Sequence, residues 1–125
     1  MAKTVVVLGA SADRRKFSNK AIRAYLRQGW RVFPVNPRGR QIEGLPAYTS
    51  VDQIGEKIDR VTVYLPPAVG LTTLPAIAAA KPEEFFVNPG AESDELVAKA
   101  RELGLEPILA CSIIEAGATP GQFPD

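Results

Sequence analysis

Histidine is absent from this chain of 125 residues, and cysteine, methionine and tryptophan occur once each. Without histidine, the side chain that most often serves as general base and as metal ligand is missing. The single cysteine, Cys111, excludes an internal disulfide, offers no metal-ligand spacing and suits a reducing compartment. No apolar run approaches the roughly 20 residues that a membrane span needs. An excess of one charge is lacking too: 15 Lys plus Arg against 14 Asp plus Glu leave +1, so no global basicity argues for nucleic acid. The N-terminus runs directly into a strand-like segment without the basic, apolar and small-residue succession of a signal peptide. A cytoplasmic protein with neither a membrane nor a nucleic acid as partner is expected.

What is present is a strict alternation of two patterns. Thr4 to Leu8, a β-branched run ending at Gly9, reads as a buried strand. Ser18 is placed as the cap of a helix with Ile22, Tyr25 and Leu26 on one face and Gly29 as its stop. Arg31 to Val35 gives a second strand, and Ser50-Val51-Asp52-Gln53 a capping pattern for a short helix through about Lys57. Arg60 to Leu65 gives a third strand, closed by Pro66 and Pro67. Thr72 and Thr73 suggest a helix start with Pro75 in its first turn. Glu84 to Val87 is the fourth strand. Ser93-Asp94-Glu95 opens a helix that Gly104 terminates, with its acids at the positive helix end. Pro107 to Ile114 completes five strands. Apolar strands alternating with helices imply an α/β fold, a doubly wound, three-layer, parallel sheet of Rossmann-like type, with the economical order 3-2-1-4-5. Residues 1–125 form one domain, with an irregular tail over 115–125.

Ligands of such a sheet sit outside the carboxyl ends of the strands. The first strand-end loop, Gly9-Ala10-Ser11-Ala12-Asp13-Arg14, keeps one glycine of the dinucleotide fingerprint; Ser11 and Arg14 occupy the other two glycine positions. That weakens an NAD reading. The loop offers instead the Ser11 and Ser18 hydroxyls, helix N-terminal N–H groups, and Arg14, Arg15 and Lys16, a set able to hold an anion. A solvated loop with a capping serine is the competing reading. The second loop, Asn36-Pro37-Arg38-Gly39-Arg40, lacks the acid that would hold a ribose diol and carries two guanidiniums, whose planar donor forks suit a phosphate. An adenosine ribose bearing a phosphate matches, which leaves coenzyme A, 3′-phosphorylated, and NADP, 2′-phosphorylated; an ordinary exposed turn is the bland alternative.

The order of these motifs resembles the CoA-binding domain family, in its small stand-alone form, and is similar to the CoA-binding portion of the succinyl-CoA synthetase alpha subunit. The likeness is carried by Gly9-Ala10-Ser11, the spaced Ser18, Val32 to Pro37, Gly44, Leu65-Pro66-Pro67 and Ala110 to Glu115. It implies a Rossmann-like fold with CoA or an acyl-CoA across the first three strand-end loops. The pyrophosphate would meet Gly9, Ala10, Ser11 and Ser18, while Arg14 and Lys16 join the cofactor-binding candidates from the basic loop reading above. The adenosine and its 3′-phosphate would meet Asn36, Pro37, Arg38 and Arg40, and Leu65, Pro66 and Pro67 would border adenine or pantetheine. The chain departs from many small family members in having Leu65 and Pro66 where they carry basic residues, Ala116 where they carry a histidine, and Asn88-Pro89-Gly90-Ala91 as its fourth loop.

These features point to a binding module rather than an enzyme: a CoA or acyl-CoA sensor, carrier or regulatory unit. An NADP-dependent reductase, and a scaffold or subunit that has kept the fold without the ligand, are the alternatives. A homodimer or a separate protein partner remains open. Cys111 and Glu115 fall near the end of the fifth strand, where they could face a thioester, although an apolar-flanked cysteine there is more often a small core residue.

Overall fold

The computed structural model describes residues 2–125. Five parallel strands, β1 (Thr4–Leu8), β2 (Arg31–Val35), β3 (Arg60–Val63), β4 (Glu84–Val87) and β5 (Pro107–Leu109), alternate with helices α1 (Phe17–Arg27), α2 (Pro67–Ala80), α3 (Asp94–Glu102) and α4 (Ser112–Glu115). Every residue of β1 and β3 is buried. Successive side chains of β1 enter opposite layers, as strand geometry requires. Val5 and Val7 pack with Ala21, Ile22, Tyr25 and Ile113 on the face covered by α1 and α4. Val6 and Leu8 pack with Leu74, Ile77 and Leu96 on the face covered by α2 and α3. The expected three-layer α/β architecture is therefore present.

The strand order is β2-β1-β3-β4-β5, not the 3-2-1-4-5 expected from the alternation. The third strand lies beside the first, and the second is the edge. Burial and proline chemistry explain this. Arg60, Val61, Thr62 and Val63 are all buried, which an edge strand does not achieve, whereas β2 exposes Arg31 and contains Pro34. The Pro34 carbonyl points away from β1 and accepts from the Tyr48 N–H at 2.8 Å, so the N–H that proline lacks would also have faced the open edge. Pro34 fits β2 only as the edge strand. The chain thus reverses its direction of travel across the sheet between β1 and β3, where a crevice opens at the carboxyl ends.

Five boundaries differ from expectation, the first being that β3 ends at Val63 rather than Leu65. Helix α1 starts at Phe17, and Ser18 lies inside its first turn without capping it. The capping pattern at Ser50 yields only a 3-10 turn, Val51–Gln53. Helix α2 starts at Pro67, with Pro66 as its N-cap, so Thr72, Thr73 and Pro75 are interior. The two threonine hydroxyls donate at 2.6 Å to the carbonyls of Val69 and Gly70 one turn back. Strand β5 ends at Leu109, and α4 takes Ser112–Glu115. The remaining chain forms a 3-10 turn, Pro120–Gln122, and buries Phe123 against the α1 face. The Ser93 cap is as expected: its Oγ accepts from the Leu96 N–H at 3.1 Å.

Candidate functional site

The loops after β1 and β3 touch at the switch point. Gly9 has φ of 80°, and a Cβ placed on it would lie 2.5 Å from the Tyr64 carbonyl oxygen and 3.1 Å from Leu65 Cδ2. Only glycine lets the two loops meet in this way. Around this contact lie three recesses. The largest, an open cleft of about 440 Å³, is lined by Gly9, Ser11, Lys16, Ser18, Pro66 and Pro67, with Phe17, Tyr64, Leu65 and the Pro89–Ala91 loop completing it. A slot of about 250 Å³ continues past Gly9 and Leu65 between Leu8, Val35, Pro37, Val51 and α2. A shallow recess of about 180 Å³ lies between Ser11, Asp13, Asn36, Arg38, Arg40 and Ile42.

The structure thus brings together Gly9, Ser11, Lys16, Ser18, Pro37, Leu65, Pro66 and Pro67 around the cleft and slot, and Ser11, Asn36, Arg38 and Arg40 around the neighbouring recess. Helix α1 receives no side-chain cap at its N-terminus, where Lys16, Phe17 and Ser18 wall the cleft. The first-turn N–H groups of a helix lack intrahelical acceptors, and with the helix dipole and Lys16 they form a donor set able to hold an anion. Asn36 braces the second loop. Its Nδ2 donates to the Ala10 carbonyl at 2.7 Å and its Oδ1 accepts from the Arg38 N–H at 2.8 Å. Arg38 and Arg40 form no ion pair among the described residues, unlike Arg14, Arg15, Arg31, Arg60 and Arg101.

Two residues expected at the site, Ala10 and Arg14, line none of the three recesses and have partners within the protein. Ala10 is 1% exposed, and both of its backbone groups are taken: its N–H donates to Val35 at 3.1 Å and its carbonyl accepts from Asn36. Arg14 turns to Glu43, Nε to Oε2 at 3.5 Å. Glu43 is delivered by a tight turn in which Glu43 and Gly44 have φ of 48° and 77° and Ile42 and Leu45 exchange backbone hydrogen bonds. The same carboxylate accepts from Asn19 Nδ2, which also donates to the Ser11 carbonyl at 2.9 Å. The fully buried Asn19 therefore fixes the Ser11 turn, a role that the sequence showed only as an asparagine one residue past Ser18. Arg15 is engaged by Asp13, and the guanidinium holds that carboxyl down at about 2.

Beyond the cleft, a second set of polar groups is closed on itself. Asn88 Nδ2 donates to Thr62 Oγ1 at 2.6 Å and to the Val63 carbonyl at 2.9 Å, and its Oδ1 accepts from the Ser112 N–H at 2.9 Å. Ser112 Oγ accepts from Thr62 Oγ1 at 2.9 Å and lies 3.0 Å from the Tyr64 hydroxyl. Burial pushes the Tyr64 phenol well above its ordinary range. The network reaches Arg60 through Tyr25: the Tyr25 hydroxyl approaches the Ser112 carbonyl at 3.5 Å and accepts from Arg60 Nη1 at 3.1 Å. Cys111, half-buried, borders this region, and Glu115 is exposed on α4.

The chain is 36% identical over 64 residues to acetate–CoA ligase (ADP-forming) I of Archaeoglobus fulgidus, covering 51% of this chain and 9% of that protein. It is 35% identical over 65 residues to the alpha subunit of acetate–CoA ligase (ADP-forming) II of Pyrococcus furiosus, covering 50% and 14%. These curated relatives are many times longer than the segment they share with it. A conserved hypothetical protein of Pyrococcus furiosus superposes with a TM-score of 0.81 at 32% identity, over 92% of this chain and 99% of that one. A protein of Thermus thermophilus gives 0.85 at 31% identity, over 93% and 89%. Residues 3–117 match the model of the CoA binding domain, and the chain belongs to that family.

Proposed function

We propose that the protein binds coenzyme A, free or acylated, and leaves it chemically unchanged. The observation that carries this reading is the pair of arginines without ionic partners, Arg38 and Arg40, set at the end of β2 beside the Ser11 turn. A 3′-phosphate on the adenosine ribose supplies what they lack. The adenine enters the apolar slot between Leu8, Val35, Pro37 and Leu65, the pyrophosphate crosses Gly9 and Ser11 beneath the uncapped end of α1 and Lys16, and the pantetheine arm follows Pro66 and Tyr64 toward Pro89. At the thiol end the polar groups face one another: Tyr64, Asn88, Thr62 and Ser112 are mutually bonded, and the Tyr64 phenol keeps its proton. Such an arrangement holds a ligand in place and presents no poised base.

The test is calorimetric. Charge-assisted contacts to one phosphate contribute roughly 1.5–3 kcal/mol, so CoA should bind about ten- to a hundredfold more tightly than dephospho-CoA. Replacing Arg38 and Arg40 by alanine should abolish the difference. Equal affinities for the two ligands in the unaltered protein would remove the reading's central support.

A further inference from the structure

Next to the cleft lies a cavity of about 200 Å³ that the placement of CoA does not use, walled by Phe17, Tyr64, Asn88, Pro89, Cys111 and Pro120. It shares Phe17, Tyr64 and Pro89 with the cleft, at the end away from Arg38 and Arg40. We propose that this cavity is an acyl subsite that selects short, uncharged acyl groups on CoA. The inference rests on the CoA reading above, because only a pantetheine arm running along the cleft delivers its thioester to the mouth shared by the two recesses.

Three observations define the class of acyl group. The first is volume: a closed apolar cavity of about 150 Å³ holds benzene, so this recess of about 200 Å³ shelters up to roughly six carbons and leaves the rest of a fatty acyl tail outside it. The second is charge. No lysine or arginine is among the six residues, and the Asn88 amide and Tyr64 hydroxyl are committed to Thr62, Val63 and Ser112. A carboxylate at the far end of an acyl chain would be buried without a partner, which is strongly unfavourable. The third is an uncovered ring: Phe17, at the mouth, is 61% exposed although it begins a helix whose other apolar residues are largely buried. A thioester and its first methylenes would cover it.

The experiment compares CoA with acetyl-, butyryl-, hexanoyl-, palmitoyl- and succinyl-CoA by calorimetry on the unaltered protein and on Cys111→Phe, which puts a larger side chain on the cavity's lining. Each methylene buried should tighten binding about fourfold, hence about tenfold or more from acetyl to butyryl. The gain should stop near six carbons, the further methylenes of palmitoyl adding much less than about fourfold each. Succinyl-CoA, equal in length to butyryl-CoA, should bind at least tenfold more weakly than it does. Cys111→Phe should bind CoA as the unaltered protein does and lose the gain with chain length. CoA bound with an affinity indifferent to the acyl group, or succinyl and butyryl bound alike, overturns the acyl subsite and leaves the CoA reading standing. Failure to bind unesterified CoA at all sinks both.

Discussion

Gly9 carries the most constraint of any residue near the cleft, and the source of that constraint is the protein rather than its ligand. Its φ of 80° is strained for any L side chain, and a Cβ there would press on the Tyr64 carbonyl carbon at 2.8 Å as well as its oxygen. A valine must therefore move the backbone of one strand-end loop or the other. Gly9→Val is expected to lower stability by at least about 3 kcal/mol with no ligand present. Ser11→Ala loses only the 3.0 Å hydrogen bond from the Asp13 N–H and should cost about 1 kcal/mol with the fold intact. Paired thermal melts check this, and a Gly9→Val protein that melts like the unaltered one would show that the two loops are not in contact. The need for glycine at this position was legible in the sequence, from a strand ending at Gly9. Its cause was not, because Tyr64 lies far along the chain and reaches Gly9 only through the β1–β3 pairing.

At the level of elements, the first four strands could be read from their β-branched and apolar runs, since a parallel sheet covered on both faces demands such runs. Their order could not be read from alternation alone; it was written in Pro34, which is tolerated only where β2 has an open side. The fifth strand was overextended for a related reason. Ile108 to Ile114 is a continuous run of small and apolar residues that suits a strand or a buried helix equally, and what decides it is Ser112. That serine turns inward, begins α4 and binds Asn88 and Thr62, closing β3, β4 and α4 around one buried polar cluster. Asn88 is the hinge of the cluster and gave no signal in the sequence beyond a place in an Asn-Pro-Gly turn. Asn88→Leu, similar in size, would leave the Ser112 N–H and Thr62 hydroxyl with lost partners, at a cost of about 3 kcal/mol or more. Denaturant unfolding of the variant tests this; a loss under about 1 kcal/mol would mean that the cluster does not tie α4 to the sheet.

For the whole molecule, the decisive feature is that the contacts proposed for CoA come from three loops that the unfolded chain keeps far apart: Gly9 to Ser18, Asn36 to Arg40, and Tyr64 to Pro67. They meet only because β2, β1 and β3 are neighbours in that order. The proposed CoA site therefore exists in the folded state alone, and binding must raise stability by mass action. At a free concentration of about 100 times Kd the gain is about 2.7 kcal/mol, which for a domain of this size corresponds to a rise in Tm of roughly 10 °C. The bridge also runs from the edge strand to the centre of the sheet, so ligand should slow amide exchange most in β2, whose outer side is held only by the short pairing with Tyr48. NADP places its extra phosphate on the 2′ rather than the 3′ oxygen and ends in a second nucleoside instead of a slender pantetheine arm. That nucleoside would have to lie against Tyr64, Phe17 and Pro89, where no charged side chain lines the neighbouring recess to meet its nicotinamide. At equal concentration NADP should accordingly shift the melt by much less than CoA does. A larger shift with NADP, or none with CoA at millimolar concentration, would place the wrong nucleotide in the cleft.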